Sequence, residues 1–219
     1  MLTFNCSQAA ADFFSRVHKG KKISPVEKPS QLQGSCDDLH TDPHQWLVHA
    51  ATVQRKHVLL AMHLKTRYCM LFFDMKKADD EGFAYAFINR WTAGVLDIAL
   101  KCDVLDRVDP QIPETLLYSG AQTYPLFLRG DRSTQTHVNE VLRGFKWEAE
   151  DFDFVRQPWS ALHYDAQTNR ILKSIKGQSN YVRPAEEMLI HWMITVGGVD
   201  PSLTDDIRKK YRQTLRDEA

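Results

Sequence analysis

The sequence predicts an α+β fold: an antiparallel sheet with helices packed on it, followed by a C-terminal hairpin and further helices. Three observations carry this. The β-rich runs 46–53, 57–64 and 68–75 are separated only by the short polar turns Gln54-Arg55-Lys56 and Lys65-Thr66-Arg67, the pattern of a meander. The stretch after them carries Phe83, Phe87, Trp91, Val95, Ile98 and Cys102 at three- and four-residue spacings, the stripe of a helix that must bury one face. Strands are clustered rather than alternating with helices, which separates α+β from α/β patterns.

Taken in order, residues 2–6 read as a strand, and Ser7 caps a helix over 8–18 with Phe13, Phe14 and Val17 as its apolar stripe. Residues 19–35 are rich in Lys, Pro, Ser and Gln without apolar periodicity, so an extended surface loop is expected, with Lys19-Gly20-Lys21-Lys22 solvated. After the meander, Asp79, Asp80 and Glu81 place acids at the start of the long helix, where the macrodipole favours them. Residues 104–120 are irregular, 124–128 form a strand, and Ser133 opens a helix to about residue 145. A hairpin is expected from 161–164 and 170–175 around Gln167-Thr168-Asn169. Pro184 begins a helix that Gly197-Gly198 ends, and Pro201 precedes a last helix with Asp205 and Asp206 early and Arg208 and Arg212 late. Residues 1–147 are expected to form the core domain, with 148–219 an accessory region packed on it.

Lys plus Arg and Asp plus Glu both number 28. No global field therefore draws the chain to nucleic acid or anionic lipid, although a local patch remains open. No apolar run approaches the roughly 20 residues of a membrane helix. The N-terminus shows no basic segment followed by an apolar one, so a cytoplasmic location is expected. Cys6, Cys36, Cys69 and Cys102 are far apart and form no C-x-x-C pair, which predicts reduced thiols rather than a metal centre. No nucleophile elbow, phosphate-binding loop, dinucleotide fingerprint or zinc-protease motif occurs, so no cofactor is implied and an enzyme is the less favoured class.

The densest polar cluster is Arg132, Ser133, Thr134, His137 and Asn139, with Arg129 nearby. Three readings stand. Ser133 caps the helix while Arg132 pairs with an acid and Asn139 bonds a neighbouring loop. Alternatively, the helix start with Arg129 and Arg132 receives a phosphate or carboxylate. In the third, His137 serves an enzyme acting on a phosphate-containing or nucleic-acid substrate.

Other polar groups receive plainer readings. Asp37, Asp38, His40, His44 and His49 supply metal-type ligand atoms, but Pro43 interrupts any helical spacing, so a solvated loop is expected and no metal is assigned. His57 and His63 lie six apart on one strand and share a face, with Val58, Leu60 and Met62 opposite; this predicts a sheet surface. With Arg55 and Arg67 that face is the nucleic-acid alternative. Glu187 and His191 at i, i+4 read as a helix-surface pair, with Glu186 beside them.

Three local patterns together resemble a bacterial family known as domain of unknown function six-nine-three-three. They are Cys6-Ser7-Gln8 closing the first strand, Trp46 followed by Lys56-His57-Val58-Leu59-Leu60 and Thr66-Arg67, and Asp131-Arg132-Ser133 with Asn139-Glu140. The chain departs from the family's pattern at His63, where Asn is usual, and at Thr136, where Gly is common. The resemblance covers residues 1–145 and implies a fold and a place for a site, but no reaction. The expected function is a cytoplasmic binding or protein-interaction module without catalysis of its own. Its partner would be a protein or a small anionic ligand, with nucleic acid through local basic turns as the alternative. Oligomeric state is not readable from the sequence.

Overall fold

The computed structural model of the chain describes residues 2–28, 43–109, 111, 124–151, 158–175 and 179–218. The described strands are β1 (Thr3–Cys6), β2 (Arg16–His18), β3 (Lys21–Ile23), β4 (Gln45–Val53), β5 (Lys56–His63), β6 (Cys69–Phe73) and β7 (Leu126–Leu128). The described α-helices are α1 (Gln8–Phe14), α2 (Asp80–Lys101), α3 (Arg132–Asp151), α4 (Pro158–Thr168), α5 (Pro184–Thr195) and α6 (Thr204–Asp217). The fold is α+β, with helices packed against a five-stranded sheet of order β6-β5-β4-β1-β7.

The expected meander is present: β4 pairs antiparallel with β5, and β5 with β6. Val53 faces Lys56, which leaves Gln54 and Arg55 as a two-residue turn. Both have positive φ, 47° and 64°, the twist that a tight hairpin needs. β1 extends the sheet by pairing parallel to β4 and β7, so the sheet is mixed beyond the meander.

Both sheet faces are covered. Leu59, Ala61 and His63 of β5 face one side, Val58, Leu60 and Met62 the other, and all six are buried. On the first side Phe4, Trp46 and Phe72 pack with Phe83, Phe87 and Trp91 of α2, with α1, α5 and α6 completing the layer. On the second, Leu47, Leu60 and Leu71 pack with Val138, Val141, Leu142 and Phe145 of α3, together with Tyr164 of α4. A strand with helices on both faces reads as a nearly continuous apolar run, which is what Val58-Leu59-Leu60-Ala61-Met62 is. His57 and His63 share a face, and the expected outward surface holds for His57, exposed at the start of β5; it is corrected for His63, 1% exposed on the part of that face covered by helices.

The N-terminal helix also differs from expectation. It stops at Phe14, and residues 16–18, expected to continue the helix, pair antiparallel with 21–23 of the expected loop in a small hairpin. Phe13 and Phe14 complete the buried stripe, and Val17 is 75% exposed, so nothing drives the helix further. The long helix starts where the acids predict. Asp79 accepts the Gly82 amide at 2.9 Å, and a Cβ at Gly82 would lie 2.6 Å from that carboxylate, so a side chain there would make the cap shift.

The largest correction lies at 161–175. The expected C-terminal hairpin is absent, because residues 158–168 are helix α4, and Lys173 instead forms an isolated antiparallel bridge with Val182. The later helices α5 and α6 occur as predicted, with Pro184 opening α5. Among the described residues, no helix is long and apolar enough to cross a membrane.

Candidate functional site

The start of α3 is organised by an arginine outside the sequence-predicted set. Arg67, 3% exposed and with φ of 62° in the β5–β6 turn, donates to Thr134 Oγ1 at 2.8 Å, to Ser133 Oγ at 3.0 Å and to the Leu64 carbonyl. Burial lowers its pKa, and the nearby Asp131 charge opposes that shift. Asp131, not Ser133, caps the helix: its Oδ1 accepts the Thr134 amide at 2.6 Å, so α3 begins one residue earlier than expected. The Ser133 hydroxyl is committed to Arg67.

The predicted site residues have different partners. Arg129 is half-buried, and its amide donates to the Cys6 carbonyl at 3.2 Å. Arg132 is exposed at the first position of α3. His137 is buried with Nδ1 3.3 Å from Glu140 Oε2, a carboxylate that Lys173 also approaches at 3.2 Å. Asn139 is exposed and accepts from Gln135 Nε2 at 3.0 Å. The nucleic-acid reading that joined Arg55 to Arg67 is corrected: Arg55 is exposed on the β4–β5 turn, whereas Arg67 is buried at the opposite end of β5.

Asp37, Asp38, His40 and Cys36 lie outside the described residues. His49 Nδ1 sits 2.9 Å from Ser7 Oγ. His44 packs edge-on to Trp91 and against His191, which in turn lies 4.7 Å, centroid to centroid, from His63. Burial drives His63 well below the ordinary histidine range and His191 down to about 4, with the neighbouring imidazoles adding to both shifts. His63 is held by Thr66 Oγ1 at 2.9 Å and the Pro43 carbonyl at 2.8 Å. Glu187 pairs with Arg208 rather than with His191. No group of three or more metal-type ligands is found among the described residues, and Cys6, Cys69 and Cys102 are buried free thiols.

A different polar centre lies at the free edge of β6. The outward backbone groups of an edge strand must be satisfied or covered, and here side chains do it. Asn169 Oδ1 accepts the Cys69 amide at 2.8 Å, and its Nδ2 donates to the Cys69 carbonyl at 2.7 Å. Asp165 Oδ1 accepts the Leu71 amide at 2.9 Å. Arg90, reaching over from α2 with its guanidinium 4.7 Å above the Phe72 ring, donates to the Leu71 carbonyl and to Asp165 Oδ2. Burial pushes the Asp165 carboxyl up to about 7, against the opposing pull of Arg90 and of the Leu71 amide.

Beside this centre is a pocket of about 370 Å³ walled by α2, α4 and α6. Small side chains open it, Ala93, Gly94 and Ala166 among them, and Ile98, Leu162 and Leu215 line it. Arg90 and Asp165 form its polar wall with Tyr68 and Asn169, and Asp97, Lys101 and Arg170 add charge. A Cβ at Gly94 would come within 2.9 Å of the Tyr68 hydroxyl. Arg90 Nε is buried and has no hydrogen-bond partner. None of Arg129, Arg132, Ser133, His137 and Asn139 lines this pocket. Sequence reasoning missed it because its polar residues come from segments 68–70, 90–101, 162–170 and 211–218; the local signal is the i, i+4 pair Asp165 and Asn169.

A family model described as Domain of unknown function (DUF6933) matches residues 3–187, a span that runs through α4 and into α5, beyond the 145 residues over which the motifs resemble that family. No curated protein and no solved structure matches the chain.

Proposed function

Because the chain belongs to the DUF6933 family, whose description assigns no activity, we propose from geometry that it is a binding module whose ligand is a small, mainly apolar molecule carrying a hydrogen-bond acceptor. One observation carries this reading: the pocket of about 370 Å³ joins aliphatic walls to a buried, charge-balanced polar wall. That volume falls within the range of roughly 300–1,000 Å³ typical of small-molecule sites, which combine apolar lining with a few placed polar groups. Arg90 stacks on Phe72, and Asp165 is tied to the sheet edge, so the polar wall is fixed before any ligand arrives and ordering costs are low. The Nη hydrogens of Arg90 that Leu71 and Asp165 do not take suit a carbonyl or ether oxygen. Catalysis is not part of the reading, since Asp165 is occupied by Arg90 and the Leu71 amide.

Nile red tests it, being neutral, planar and apolar with a carbonyl acceptor, and fluorescent when removed from water. The wild-type protein should give a saturable, one-to-one rise in emission. Ala93→Phe and Ala166→Phe lie at exposed helix positions that face the pocket, so they should fill it without disturbing the core and abolish the rise. An unchanged titration in both variants contradicts the proposal.

A further inference from the structure

Helix α6 carries Arg208, Arg212 and Arg216 at four-residue intervals, which sets three guanidinium groups along one face. They meet Arg170 and Arg183 across an open cleft of about 710 Å³, distinct from the pocket above although it shares Arg170 and Leu215 with it. Against these five positive charges stand Glu186 and Glu187 in the cleft wall and Glu218 beside Arg170. Two positive charges are left in excess, in a chain whose net charge is zero.

The carboxylates hold the arginines in place rather than cancelling them. Glu186, 2% exposed, approaches Arg208 Nη1 at 2.5 Å and Arg212 Nη2 at 3.0 Å, and Glu187 takes the same Arg208 nitrogen at 2.6 Å. Each contact uses one edge of a planar five-donor group, so further N–H donors remain for an outside acceptor. The side chain of Arg212 stays 59% exposed, and Arg216 is exposed, donating to Gln213 Oε1 at 2.9 Å. Apolar surface flanks the charges: Tyr181 is 70% exposed and Leu172 49%, and both line the cleft.

We propose that this cleft docks an acidic, aromatic-containing segment of a partner protein. The partner's carboxylates would pair with the free edges of Arg183, Arg212 and Arg216, and its aromatic side chain would lie on Tyr181 and Leu172. Charge complementarity selects an acidic ligand, and the adjoining apolar side chains select a peptide over a bare anion. A nucleic-acid backbone would need a longer basic track than an excess of two charges offers. The α6 arginines lie beyond the family-matched span, so the docking function would be an addition to the family's common fold.

The test is fluorescence anisotropy at low salt with a fluorescein-labelled peptide of alternating Glu and Asp around one Phe. Saturable binding is expected, weakened about tenfold in Arg212→Ala/Arg216→Ala, as loss of two partly exposed ion pairs predicts. Arg216→Gln, which removes the charge without touching a buried group, should weaken it as well with little change in melting temperature. The proposal is overturned by absence of saturable binding or by equal binding to both variants. It is equally overturned if a single-stranded oligonucleotide of matched charge binds more tightly than the peptide, or if inorganic phosphate displaces the peptide at equal concentration.

Discussion

Asn169 stands one hundred residues beyond Cys69 and hydrogen-bonds both of its backbone groups, accepting the amide at 2.8 Å and donating to the carbonyl at 2.7 Å. The amide side chain thus takes the place of a sixth strand. It closes the sheet at β6 and fixes α4 against it, which in turn forms one wall of the pocket.

Asn169→Ala should therefore cost more than one ordinary hydrogen bond. It leaves a buried amide and a buried carbonyl unpaired, a loss of about 2–4 kcal/mol. Urea denaturation measures this, and hydrogen exchange at the Cys69 amide should accelerate in the variant beyond what the global stability loss accounts for.

Acid and base limbs of the stability curve have separate origins. His191, lowered to about 4, and His63, held well below its ordinary range by burial, contribute stability that is present above the ordinary histidine range and lost as pH falls through their folded values. Asp165, raised to about 7, has the opposite sign: its contribution is present below the ordinary carboxylate range and lost as pH rises through about 7. Melting temperatures from pH 4 to pH 8 should accordingly show Asp165→Asn losing the decline toward pH 7, while His191→Gln flattens the rise from pH 4. Each group accounts for at most about 1.4 kcal/mol per pH unit. Identical profiles for wild type and both variants would remove this assignment.

At the α3 junction the two arginines should behave oppositely. Arg67→Met leaves Leu64 O, Ser133 and Thr134 without their donor and should cost about 2–3 kcal/mol. Arg132→Ala removes an exposed side chain and should change stability by less than about 0.5 kcal/mol. Denaturant melts of the two variants check the pair together.

Trp91, 1% exposed between Phe87, Trp46 and His44, should lose about 3–5 kcal/mol on replacement by Ala. A loss below about 1 kcal/mol would mean that the α2 stripe is not core.

These residues also show what was legible in the sequence. The α2 stripe and the meander were readable because their burial is apolar and periodic: Phe83, Phe87, Trp91 and Val95 follow the helical repeat, and Val53 and Lys56 bracket a two-residue turn. Helix α4 was not. The buried positions Ala161, Tyr164, Asp165 and Thr168, with Asn169 just past its end, keep helical spacing, but three of the five are polar because they meet backbone at a sheet edge. Hydrophobic periodicity is blind to such a face, and Gln167-Thr168-Asn169 then imitates a turn. The candidate cluster at 129–139 followed residue density along the chain, while Arg67, sixty-five residues before Arg132, holds that helix start through tertiary contacts that a linear scan does not see.

The central claim is that the pocket between α2, α4 and α6 takes a small apolar ligand against Arg90. The most direct measurement is the amide chemical-shift map of the ¹⁵N-labelled protein titrated with Nile red. The shifts should concentrate at Gly94, Ile98, Ala166 and Asn169 and saturate together at one equivalent. Shifts scattered over the surface, or confined to the α3 start around Arg132 and His137, would contradict it.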